Sequence, residues 1–166
     1  KQEIITYEKV ITYEYSYDNN NNVKKILFSD SENLLNNRTY CYTYEFKNLI
    51  KEEVYIGLLN YDTQSNNLTK ILLTNYTYDN YGNITSINRK IKTNEYSSLP
   101  SEIIYTYNTS NVYLLKSYSV DDISYQFNYD LEGNLLNFKD LTLSYKYGKL
   151  VNIESINSNL QISYEY

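Results

Sequence analysis

In five separate segments of this chain apolar and polar residues alternate one by one, and the apolar member is most often tyrosine. Ile11, Tyr13, Tyr15 and Tyr17 alternate with Thr12, Glu14 and Ser16. Tyr40, Tyr42, Tyr44 and Phe46 alternate with Cys41, Thr43, Glu45 and Lys47. Ile123 to Tyr129, Leu141 to Tyr147 and Leu160 to Tyr166 behave the same way. Side chains along a strand point to opposite faces every second residue. A period of two held this often predicts antiparallel strands with one aromatic face and one wet face. No segment keeps a 3.6-residue apolar period over three turns, so helix is expected to be nearly absent.

The segments belong to a repeat, which is the first thing to seek in a chain of this kind. Tyr17, Tyr44, Tyr61, Tyr78, Tyr107, Tyr129, Tyr147 and Tyr166 each stand at the end of a strand, seven of them followed by a polar turn. Their spacings are 27, 17, 17, 29, 22, 18 and 19 residues. A unit of 17–19 residues fits two short strands, a tight turn and a connection. The longer spacings look like loop insertions, with residues 29–37 and 92–101 as connecting loops and Pro100 marking a crossing between hairpins. At the turns, Asp18, Asp62, Asp79 and Asp130 are placed to accept backbone N–H groups in Asx-type turns. Gly82-Asn83 and Gly133-Asn134 supply residues that tolerate positive φ, and Asn19 to Asn22 do so where glycine is missing.

Residues 1–166 are therefore expected to form one array of about seven hairpins and a final half, or about fifteen strands. The expected fold is all-β: a long, curved, spiralling, single-layer antiparallel sheet in which each hairpin packs only on its neighbours. The break inside the last repeat, at Tyr166, predicts an excised fragment of a longer array. Open sheet edges predict self-association.

Composition excludes several functions. The net charge is −5 and Lys is scattered, so the basic stripe that releases counterions from nucleic acid is missing. No apolar run approaches ~20 residues, and membrane insertion is not expected. The chain has no His, which removes Ser-His-Asp, Cys-His and His-metal chemistry. Cys41, the one cysteine, lies mid-strand with no base beside it. Each turn offers one carboxylate, whereas calcium wants six to eight oxygens. Asp121-Asp122 make a poor glycosidase pair, since neighbours in a strand face opposite ways. Five Asn-x-Ser/Thr sequons occur, at Asn37, Asn67, Asn75, Asn83 and Asn108. No catalytic residue, metal or cofactor is expected. The tyrosine face alone could serve as a site, stacking on sugar rings or anchoring a protein. The plainer use of those rings is to hold adjacent hairpins together.

The pattern Tyr76-Thr77-Tyr78-Asp79-Asn80-Tyr81-Gly82-Asn83-Ile84-Thr85 resembles the YD repeat of the Rhs and teneurin group. Phe127 to Leu135 is nearly as similar, and the other copies lack Gly, Asp or both. The resemblance implies a hairpin ribbon that spirals into a hollow shell, enclosing a toxic segment in bacterial relatives and serving adhesion at the cell surface in teneurins. Wall-associated relatives imply contact with surface glycans. The implied partners are the remaining repeats of the parent, an enclosed toxin segment or a surface glycan, and the implied location is secreted or cell-surface. The Asp-Pro-x-Gly signature linked to self-cleavage in Rhs proteins has no counterpart here, because the one proline is Pro100, between Leu99 and Ser101.

Overall fold

The structure, a computed structural model, describes residues 2–6, 9–58 and 68–165. Tyr61, Asp62, Asn67 and Tyr166 lie outside the described residues. The fold is all-β, with fourteen antiparallel strands among the described residues and two short 3₁₀ turns, Leu34–Asn36 and Asn94–Tyr96. The chain divides into two compact units, residues 1–102 and 103–166.

The first unit holds β1 (Gln2–Thr6), β2 (Lys9–Tyr17), β3 (Val23–Asp30), β4 (Arg38–Glu45), β5 (Asn48–Ile56), β6 (Thr69–Tyr78) and β7 (Ile84–Ile91). The second holds β8 (Glu102–Tyr107, whose first residue is the boundary), β9 (Leu115–Val120), β10 (Ile123–Tyr129), β11 (Leu135–Phe138), β12 (Leu141–Lys146), β13 (Lys149–Ser155) and β14 (Gln161–Ser163). In each unit the strands pair in chain order, as tandem hairpins must.

Every long hairpin carries a β-bulge in the same place. Ser16 pairs with Lys25 but the next residue, Tyr17, pairs with Val23, so Lys24 is extra. The same slip falls at Thr43/Tyr44, Thr77/Tyr78, Thr106/Tyr107, Asn128/Tyr129 and Ser144/Tyr145. A bulge leaves one residue unpaired and increases local twist. The outgoing strand keeps its strict alternation. The return strand loses it, because its aromatic-face residues now fall three apart and then two, as in Val23, Ile26 and Phe28.

The bulge also corrects two positions. In the last long hairpin the tyrosine at the slip is Tyr145, not Tyr147. Tyr147 lies in a two-residue turn with φ 53° and is 93% exposed. Phe46 sits equivalently after Tyr44, with φ 55°. Alternation runs through both residues in the sequence, but a tight hairpin needs a residue at positive φ where they stand. Asp121 and Asp122 also form a two-residue turn, with φ 45° and 72°, rather than strand. The loop expected at 29–37 is shorter, since β3 runs to Asp30, while the loop at 92–101 has the expected bounds; each contains a 3₁₀ turn.

Among the described residues a true interior exists only in the first unit. Val54, Ile71 and Leu72 are buried together, with Tyr40, Ile56, Ile91 and Tyr96 packed against them. Ile71 is the extra residue of a further bulge, since Val54 pairs with Leu72 while Tyr55 pairs with Lys70. That slip lets adjacent Ile71 and Leu72 both be buried. Tyr96 arrives from the 92–101 loop, so the insertion that lengthens the repeat is what covers the sheet. Among the described residues the second unit has no fully buried side chain.

Candidate functional site

Three turns share one hydrogen-bonded box. Asp18 Oδ1 accepts the N–H groups of Asn20 and Asn22 at 2.8 and 2.9 Å, and Oδ2 accepts the Asn22 side-chain amide at 3.0 Å. Asp79 holds Tyr81, Asn83 and the Asn83 amide in the same way, each at 2.9 Å. Asp130 holds Glu132, Asn134 and the Asn134 amide at 3.0, 2.8 and 2.9 Å. The fourth residue of each box has positive φ: Asn21 at 61°, Gly82 at 85° and Gly133 at 88°. Nothing lies within 4 Å of a Cβ built on Gly82, so the backbone angle rather than space is what favours glycine there.

The box sets the chemistry of its acid. The Asn22, Asn83 and Asn134 amides, followed by backbone N–H groups, hold the Asp18, Asp79 and Asp130 carboxyls below the usual carboxylate range. Both oxygens of each carboxylate serve the turn. Among the described residues no group of three or more His, Cys, Asp or Glu is placed to hold a metal. The Asn83 amide belongs to its box, and Asn37 is buried with its Oδ1 accepting Asp30 N–H at 2.9 Å. These two sequon asparagines are therefore committed to the fold.

Two of the tyrosines at the slip clip one hairpin to the previous one. Tyr78 on β6 donates its hydroxyl to Leu49 O on β5 at 2.8 Å. Tyr129 on β10 donates to Leu115 O on β9 at 2.8 Å. Each acceptor is the residue paired with the preceding slip tyrosine, since Leu49 faces Tyr44 and Leu115 faces Tyr107. Burial raises the Tyr44, Tyr78 and Tyr129 phenols above their ordinary value. Tyr107 is half-buried and Tyr17 is 58% exposed.

Asp30 has no forewarning in the alternation. It is 1% exposed and pairs with Lys9 Nζ at 2.9 Å. It also accepts the Asn36 side-chain amide and the N–H groups of Glu32 and Asn33. The Asn36 amide and the Lys9 ammonium hold its carboxyl far below the carboxylate range. Asp30 thereby organises the loop that carries the first 3₁₀ turn.

The aromatic face differs between the units. In the first, Tyr40 pairs with Val54, which pairs with Leu72, which pairs with Ile91. Tyr96 packs over this row and Glu95 Oε2 meets Arg38 at 2.9 Å. Burial, then Glu95, pushes the Tyr96 phenol up to about 12. In the second, Tyr105, Tyr118 and Tyr125 form a cross-strand row, and Phe127 faces Phe138. The Tyr118–Tyr125 rings stack at 4.9 Å and the Phe127–Phe138 rings at 5.1 Å. Tyr118 links the rows, 5.9 Å from Phe127 and 6.5 Å from Phe138. Lys139 Nζ stands 4.9 Å from the Tyr125 ring centre and 5.3 Å from that of Phe138. All five rings remain half-buried.

The opposite face of the first unit carries Lys51, Glu53 and Lys70. Burial raises the Glu53 carboxyl, but Lys70 and Lys51 outweigh it and the net shift is downward. Cys41 pairs with Glu53 across the strands, and burial, then that carboxylate, pushes its thiol up. A raised thiol is a poor nucleophile at neutral pH. Tyr42 and Tyr76 flank Glu52, and burial, then Glu52, pushes both phenols up to about 12.

Sequence reasoning missed Asp30, Tyr96, Tyr118 and Lys139. The apolar interval of three in the return strands, as from Leu115 to Tyr118, was the available signal for the bulge and hence for Tyr118. No helix among the described residues is long and apolar enough to cross a membrane, which says nothing of β-barrels. No protein-family model matches the sequence, and no curated protein matches it.

Proposed function

We propose that this chain is a non-catalytic structural repeat segment of a secreted or cell-surface protein of the YD-repeat kind. Its work is mechanical: it forms part of a shell that encloses a toxin polypeptide, or it presents a rigid surface. The carrying observation is the box at Asp18, Asp79 and Asp130, repeated with the bulge at the tyrosine before it. The box acids and the Tyr78 and Tyr129 hydroxyls are committed to the chain's own turns and strands, which suits a wall rather than an active site. Electron microscopy of the intact parent protein tests this. A hollow shell with internal density is expected, and a solid rod leading to a wall anchor would overturn the shell.

A second reading is a carbohydrate- or cell-wall-binding adhesin module. The five-ring ladder of the second unit favours it, because stacked aromatics suit the apolar faces of sugars. A glycan array probed with the chain separates the two. Saturable binding that disappears in Tyr125→Ala would favour the adhesin.

A further inference from the structure

The two units present the same face by repeat position, yet among the described residues each unit covers it differently, the first alone laying a connection of its own over it. Counting back from the slip tyrosine, Tyr40 and Tyr42 in β4 hold the places of Tyr125 and Phe127 in β10. Over Tyr40 the chain lays its own segment 92–101, which inserts Tyr96 and sets Glu95 on Arg38. Among the described residues of the second unit no segment is laid over Tyr125 and Phe127. The short two-residue turns at Asp121-Asp122 and Lys139-Asp140 leave no chain to do so. Ile123, on the same face, is 60% exposed. Each face also has a cation beside it, though not at the same repeat position, since Ile123 holds the place of Arg38. Arg38 is paired with Glu95, while Lys139 stands beside the rings with no carboxylate among the described residues at ion-pair distance.

We propose that the aromatic face of β8–β11 binds, in trans, a short turn-forming peptide segment that presents a tyrosine beside a carboxylate, the ring stacking on Tyr118 and Tyr125 and the carboxylate pairing with Lys139. The charge fits this occupant. A carboxylate gains a charge-assisted contact from an ammonium already held against the rings. An aromatic side chain on an aromatic row supplies the area that anchors an interface. The first unit shows such a segment seated on the equivalent surface. The inference goes beyond the wall reading, because it specifies a peptide chemistry for one face of one unit, and a wall without this site remains a wall.

The probe is the chain's own cover as a synthetic peptide, Lys-Thr-Asn-Glu-Tyr-Ser-Ser-Leu-Pro-Ser, matching residues 92–101. It is titrated into the full chain with aromatic-resolved NMR as the readout. Saturable shifts at Tyr118, Tyr125 and Phe127 are expected. Replacing the peptide's Tyr by Ala should weaken binding at least tenfold, and Lys139→Glu in the protein should weaken it several-fold. Lys139 lies in an exposed turn, so that variant tests the contact without disturbing the stacked rings. The proposal is overturned by an absence of saturable shifts up to millimolar peptide, or by binding that ignores the Tyr→Ala change. Ring shifts that follow protein concentration alone would overturn it in favour of a second copy, and shifts produced only by oligosaccharide would do so in favour of a glycan.

Discussion

Tyr40 in the first unit and Tyr125 in the second occupy the same place in the same hairpin and meet different surroundings. Tyr40 shares a covered face with Val54 and Leu72, and Tyr96 packs from above. Tyr125, half-buried as Tyr40 is, meets no buried aliphatic cluster and stacks on Tyr118 instead. The outgoing strand, the bulge and the boxed turn are common to both units. What separates them is the connection at the other end of the hairpin. Residues 92–101 are long enough to fold back, whereas Asp121-Asp122 only reverse the chain. The hairpin can thus be built without a core, from ladder hydrogen bonds, boxes and ring pairs worth ~0.2–1 kcal/mol each. A core is added only where a connection is long enough to cover the face.

The comparison can be broken most directly by emptying the core. Ile71→Ala should cost about 3 kcal/mol, within the range for a buried aliphatic residue. Leu143→Ala, on a half-buried site of the second unit, should cost about 1 kcal/mol, since much of its surface is already wet. Urea unfolding followed by circular dichroism measures both, and equal losses would show that the units do not differ as described.

Acid sharpens the contrast next. The folded carboxyls of Asp18, Asp79, Asp130 and Asp30 all lie below their ordinary value. A carboxyl lowered by folding contributes stability that is present above the unfolded pKa, near 3.9, and lost as pH falls through the folded one. Stability should therefore hold above about pH 5 and fall below about pH 4. The first unit has Asp30 in addition to its boxes, so Asp30→Asn should flatten the acid limb of that unit's unfolding. Residue-resolved hydrogen exchange across the pH series reads this, and an unchanged limb would show that Asp30 contributes nothing to it.

Smaller effects should treat the units alike. Tyr78→Phe and Tyr129→Phe each remove one hydroxyl bonded to a backbone carbonyl, and each should cost ~0.5–1.5 kcal/mol. Markedly unequal costs would mean that the clip is not a shared device. The smallest change should have the opposite sign. Phe46→Gly and Tyr147→Gly relieve a positive φ at exposed sites and should stabilise by up to ~1 kcal/mol. A loss of stability in chemical denaturation would show that those rings pack on something.

Much of the hairpin was legible in the residues. Alternation located the outgoing strands, and the Tyr-Asp spacing located the boxed turns. Tyr147 and Phe46 misled because alternation continues through a tight turn, where the side chain no longer obeys the pleat. The return strands were opaque because a bulge shifts their period by one. Asp30 was hidden because a lone acid at a strand end has the same local pattern whether solvated or enclosed, and only Lys9 and Asn36, brought from elsewhere, distinguish the cases.

The sequence by itself determined the local units: which segments are outgoing strands, which acid opens each boxed turn, and that one face is aromatic. Those properties depend on neighbours a few residues apart, where side-chain parity and turn stereochemistry act. Tertiary structure alone decided which aromatic face is covered. That outcome depends on whether a distant connection such as 92–101 reaches back across the strands and brings a Tyr and a carboxylate that match what it meets, and contacts between residues so far apart in the chain leave no periodic mark on it.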